Sequence, residues 1–178
     1  MRRHLSFTGV LSQEGPLRYA VEDHPVRLIG LDTLVEGHEW GRVGGDQLEW
    51  LDETLTSAPD RPTLVFMHHP PFRTGIGFMD AIMLEDATAL ADVVSRHAQV
   101  EAVACGHVHR AIQTRYAGTV AMIAPGIAHQ VTLDIAENNT PAWIAEPPAC
   151  LLHLWRPETG IVSHVSYIGD HGPSVIFE

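Results

Sequence analysis

"VEAVACGHVHR", residues Val100–Arg110, is an apolar run that ends in a cysteine, a glycine and two histidines one valine apart. Val100–Cys105 has the composition of a buried strand, and Gly106 allows the backbone to leave it sharply. If the chain stays extended beyond the glycine, His107 and His109 point to one face with α-carbons about 6.6 Å apart. Two imidazoles so placed can reach one metal ion, or one each of two adjacent ions. The spacing alone is equally that of two exposed turn histidines. "TLVFMHHPPF", Thr63–Phe72, repeats the arrangement: a buried-strand run closes on His68 and His69, and Pro70 and Pro71 prevent its continuation. Two histidine clusters at the C-terminal ends of two apolar strands favour the metal reading, because ligands of open α/β sheets collect at that end. Neutral imidazole suits several transition metals.

Working outward, Leu17–Val21 and Val26–Leu31 read as two strands around the turn Glu22–Pro25. In "GDQLEWLDETLTSAP", Leu48, Leu51 and Leu55 recur at helical spacing, with Asp46 as a capping residue and Pro59 as the stop. "RTGIGF" reads as a loop, and a second helix is expected from Asp86 to His97. "AIQTRYAG" with "TVAMIAPG" reads as a hairpin about Gly118, and "CLLHLWRPETGIVSHVSYI" as a longer one turning at Pro157–Gly160. Between them residues 130–149 read as an irregular surface loop. Strand, helix, strand and paired strands imply an α/β fold. Cys105 and Cys150 lack a metal or redox spacing and read as core thiols. Trp40, Trp50, Trp143 and Trp155 read as core or interface residues, Trp143 also as a possible pocket wall. Asp80 and Glu85 read as helix-terminal caps.

Composition narrows the partners. The chain has 178 residues, 45% hydrophobic and 19% charged, with 22 acidic against 11 basic side chains and a net charge of −11. This is the profile of a globular domain with its own core. The acidic balance disfavours polymeric nucleic acid and anionic membrane surfaces, so an anionic substrate would need a local cation. No stretch is long and apolar enough to span a bilayer, and "MRRHLSFTGV" lacks a signal peptide's apolar region, so a cytoplasmic location is expected.

Taken in order, "LVFMHHPP", "CGHVHR" and "APGIAHQV" resemble the calcineurin-like metallophosphoesterases, in the branch of class III cyclic-nucleotide phosphodiesterases and glycerophosphodiesterases. The resemblance starts near Leu28 and implies the C-terminal half of an αββα sandwich with mixed sheets, one partial domain over residues 1–178. It implies His68 and His107 as ligands of a second metal, His109 as a ligand of the first, and His129 beside the substrate phosphate. His69 would support the site or pack structurally. Arg73 and Arg110, flanking the clusters, could contact phosphate or be solvated. The implied cofactors are two divalent ions (Fe, Mn, Zn or Co), and the implied reaction is attack of a metal-generated hydroxide on a small phosphodiester.

The family's Asp-x-His, Gly-Asp and Asn-His motifs are absent. Gly45-Asp46 and Gly169-Asp170 are misplaced for the bridging carboxylate, and Asp32 is a weak candidate ligand. Met1–Leu11 falls where the family continues past its Asn-His motif. The expectation is therefore weak or no turnover for this chain, with one metal or none, and a homo-oligomer covering exposed strand surface. Two alternatives stay open: a non-catalytic remnant that binds a partner or one metal, and a single-zinc hydrolase using His68, His107 and His109.

Overall fold

The computed structural model describes residues 15–177. The expectation attached to Met1–Leu11 lies outside the described residues. Ten strands and three helices follow in the order β1 (Tyr19–Val21), β2 (Arg27–Gly30), α1 (Gly45–Thr56), β3 (Thr63–Phe66), α2 (Gly77–Asp80), α3 (Ala87–Val94), β4 (Val100–Cys105), β5 (Ile112–Tyr116), β6 (Thr119–Ile123), β7 (Gln130–Val131), β8 (Trp143–Ile144), β9 (Ala149–Arg156) and β10 (Gly160–Tyr167). A six-stranded mixed sheet has the order β1-β2-β3-β4-β6-β5. Its four inner strands are parallel, and the edge strands β1 and β5 pair antiparallel. The α/β expectation with a mixed sheet is met.

Period-two alternation divides the strand residues between two cores. Ile29, Val65, Val103, Ala121 and Ile123 face the helices and are fully buried with Leu51 and Leu55 of α1 and Leu90 of α3. Leu28, Leu64, Ala102, Ala104 and Met122 face the other way, against Leu151, Trp155 and Ile161 of the β9–β10 hairpin. Glu101 fixes that hairpin: its carboxylate accepts from the Trp155 indole N–H (3.3 Å) and from the Ile161 amide (3.2 Å). The opposite face of the hairpin leaves Leu152, Leu154 and Val162 exposed.

Several local expectations are corrected. Asp46 lies inside the first turn of α1 and makes no side-chain cap bond; its carboxylate instead sits at the positive end of the helix. The second helix is shorter than Asp86–His97, because after Val94 the chain tightens into i→i+3 bonds from Arg96 to Val93 and from His97 to Val94. Asp80 serves the preceding loop rather than a helix end, accepting from the Thr74 amide and hydroxyl and from the Gly75 amide. Glu85 pairs across the surface with Arg42. The "RTGIGF" stretch runs into the single turn α2. Residues 130–149 are not wholly irregular, since Gln130–Val131 pairs antiparallel with Trp143–Ile144. Cys105 is a core thiol, whereas Cys150 is exposed because it lies on the outward register of β9.

Candidate metal centre

The C-terminal ends of the parallel strands lie side by side, and the chain leaves β3, β4 and β6 into loops that carry histidines. Backbone bonds zip these loops together beyond the strands. Met67 N–H donates to Ala104 O (3.0 Å), Gly106 N–H to His68 O (3.0 Å), Ala124 N–H to Cys105 O (2.8 Å) and Gly126 N–H to His109 O (2.8 Å). His68 and His69 after β3, His107 and His109 after β4, and His129 after β6 are thereby gathered at one edge of the sheet.

The loop after β4 is not extended. His107 and His109 both adopt left-handed conformations, with φ of 69° and 57°. Val108 between them is fully buried, and its N–H donates to Gly106 O at 2.8 Å. Pinning Val108 in the core forces the reversals on either side, at about 1–3 kcal/mol for each non-glycine residue held there. The two imidazoles consequently belong to different neighbourhoods. The His107 ring lies 5.0 Å from that of His68 and 4.6 Å from that of His69, while His109 lies 4.7 Å from His129.

His68 Nε2 and His107 Nδ1 are 3.2 Å apart. That is a hydrogen-bond distance, and it is also about the separation of two nitrogens bound tetrahedrally to one ion at 2.0–2.1 Å. Among the described residues His109 Nδ1 is buried with no hydrogen-bond partner, and buried His107 Nε2 has none of normal geometry, with the Ile82 carbonyl acting on that ring. An orphaned atom costs about 1–3 kcal/mol, which a bound cation would repay at His109. The donor set therefore fits divalent metal. Ligand-capable nitrogens of His68, His69 and His107 lie within 4.8 Å of one another. His69, however, is already engaged: its Nδ1 is 2.8 Å from the buried Thr33 hydroxyl and its Nε2 is 3.0 Å from the Glu39 carbonyl. Glu39 O can only accept, so Nε2 carries the proton and Nδ1 accepts from Thr33 in the neutral ring. His69 supports the cluster rather than offering a free lone pair.

Burial lowers the pKa of His68, helped by the charge of His109, and that of His69, helped by His68 and opposed by the Glu39 carbonyl. Burial likewise brings His107 down to about 4, with His69, His68 and His109 contributing and the Ile82 carbonyl opposing. At neutral pH these rings are uncharged and protons compete little for their lone pairs. The linkage has a definite sign. Between pH 6.5 and about 4 the unfolded chain binds protons that folded His107 refuses, so stability falls as pH drops through that window. Urea unfolding midpoints at pH 7 and pH 5 should show this fall, and it should be shallower in a His107→Gly variant. Equal slopes would contradict the assignment.

The remaining candidates separate. Asp32 lines a cleft of about 430 Å³ together with Leu31, Phe66, His68 and His69. Its two oxygens each accept one hydrogen bond, from the amides of Leu17 (2.9 Å) and Leu34 (3.0 Å), which ties it to its own loop. No carboxylate joins the histidine cluster among the described residues. Arg110 donates to Val131 O (2.7 Å) and pairs with Glu146 (2.9 Å), so it clamps the 130–149 segment. Arg73 is exposed and lines a separate hollow with Trp40 and Asp80. Trp143, 69% exposed, stands 5.6 Å from the His129 ring. Thr33 had no signal in sequence, because its role depends on a partner 36 residues away.

No protein-family model matches the chain. It is 40% identical over 159 residues to a probable glycerophosphodiester phosphodiesterase of Arcobacter nitrofigilis, covering 88% of the chain and 58% of the relative. It is 40% identical over 151 residues to a probable cyclic nucleotide phosphodiesterase of Rhodopseudomonas palustris, covering 82% and 54%. Among solved structures, a dimetal phosphatase from Danio rerio superposes with a TM-score of 0.53 at 15% identity, over 92% of this chain and 62% of that one, which speaks to the fold alone. The chain spans about half the length of the curated relatives it matches. The motif order and these relatives support the calcineurin-like metallophosphoesterase family for this chain.

Proposed function

We propose that this chain carries part of the active site of a metal-dependent phosphoric diester hydrolase. The observation that carries the reading is the approach of His68 Nε2 to His107 Nδ1 at 3.2 Å, beside a buried His109 Nδ1 that has no hydrogen-bond partner among the described residues, at the C-terminal edge of the parallel strands. In this reading His68 and His107 hold one divalent ion, His109 a second, and His129 stands beside the substrate phosphate. Divalent cations there would act as Lewis acids toward phosphoryl oxygens and supply an acidified water near neutral pH. The protein's own share is positional. Val108 anchors the two loop histidines, Thr33 and Glu39 hold His69 against them, and lowered pKa values keep His68 and His107 unprotonated. His129, half-buried beside His109, can donate a ring N–H to a phosphoryl oxygen.

The names of the relatives point to a small diester, a glycerophosphodiester or a cyclic nucleotide, and the acidic chain needs the cations to admit either. Because no carboxylate joins the cluster among the described residues, this chain by itself is expected to bind metal weakly and turn over slowly. Titration calorimetry with Mn(II) and Zn(II) tests the centre directly. Under the two-ion reading His68→Ala and His109→Ala each remove a different ion. If the chain binds one ion, lost on any single histidine change, the single-zinc alternative replaces it. Absence of specific uptake by the wild-type chain overturns the proposal.

A further inference from the structure

We propose that Trp143 is a specificity residue: its open indole face receives a planar aromatic ester group of the substrate, a nucleoside or an aryl ring. This rests on the phosphodiester reading of the histidine site. An indole that is 69% exposed adds little burial energy to the fold, yet the backbone that carries it is held by several independent bonds. Val131 pairs with Trp143 across the β7–β8 ladder, and Thr132 N–H donates to Ala142 O at 2.9 Å. Arg110 grips both flanks, through Val131 O and Glu146. The buried Gln130 side chain bonds the Gly126 amide (3.2 Å) and carbonyl (2.9 Å), closing the loop that carries His129.

His129 meets Trp143 at an interplanar angle of 61°, in an edge-to-face contact that leaves most of the indole surface open to solvent. A solvent-facing indole on a backbone pinned in this way, beside the proposed phosphate position, is a stacking platform, and stacking on it is indifferent to whether the ring is a base or a simple aryl. A glycerol ester has no face to offer it.

The test is equilibrium binding of three probes, phenyl phosphate, adenosine 5′-monophosphate and glycerol 3-phosphate, to the full chain with Mn(II) present. Trp143→Ala should weaken phenyl phosphate and adenosine monophosphate by roughly fivefold to a hundredfold while glycerol 3-phosphate shifts by less than about twofold, and Trp143→Phe should retain most of the aromatic preference. Loss confined to adenosine monophosphate would identify a nucleobase as the ring; loss for both would identify any planar ring. Equal losses for all three probes, or none, would overturn the role of Trp143 and leave the histidine site intact. Failure of the wild-type chain to bind any probe would overturn the phosphoester reading itself, and this inference with it.

Discussion

Replacing His107 with glycine should weaken divalent-metal binding by more than about a hundredfold, since loss of a mere supporting partner already costs about 10–100-fold. The same change should leave the fold as stable as before, or more stable by about 1 kcal/mol. Two local costs are removed: a non-glycine residue at φ 69°, and a buried Nε2 with no partner of normal hydrogen-bond geometry among the described residues. Against these stand the extra chain entropy of glycine when unfolded and the lost ring contacts with His68 and His69. Calorimetric metal titration and urea unfolding on the same samples read both quantities. A stabilised, metal-free variant is what a strained ligand predicts. A destabilised variant that still binds metal would mean that His107 packs and does not ligate.

Gly126→Ala is expected to cost about 3 kcal/mol, the upper end of what overpacking does, because the atoms in the way are nearly immovable. A β-carbon there would overlap the carbonyl oxygen of His129 and come within 2.9 Å of His109 Cβ. Gly126 is also bonded on both sides, its N–H to His109 O (2.8 Å) and its carbonyl to the Ala149 amide (3.1 Å). Relief by backbone movement would therefore push apart His109 and His129, whose rings are 4.7 Å apart. Metal uptake at His109 should fall together with stability. Gly45→Ala is the control, since a β-carbon at Gly45 meets nothing within 4 Å. If Gly126→Ala unfolds in urea no earlier than Gly45→Ala, the close packing around Gly126 is not what holds the two histidines together.

Much of this molecule was legible in the chain as written. The apolar runs ending at Cys105 and Met67 become β4 and, as far as Phe66, β3 because a strand buried on both faces has little alternative, and Gly106 and Pro70-Pro71 lie just beyond where each stops. The Ala117-Gly118 turn follows for a similar reason, as both residues take positive φ and a tight hairpin requires it. The shape of the His107–His109 loop was not legible. Extended geometry is the default for two residues after a strand, and only the burial of Val108 reverses it. Nor was the β7–β8 pairing, two residues a side and built on an Arg110–Glu146 clamp, since elements so short leave no period in sequence.

Sequence by itself determined that His68, His107 and His109 stand at the ends of apolar strands, and the family resemblance added His129 to them. Only the tertiary structure decided what each of them is free to do. His69 is indistinguishable from His68 in the chain, yet Thr33 and Glu39, 36 and 30 residues away, occupy both its nitrogens. Hydrogen-bond partners so distant are chosen by packing rather than by local pattern, and packing is what leaves His109 Nδ1 without one among the described residues.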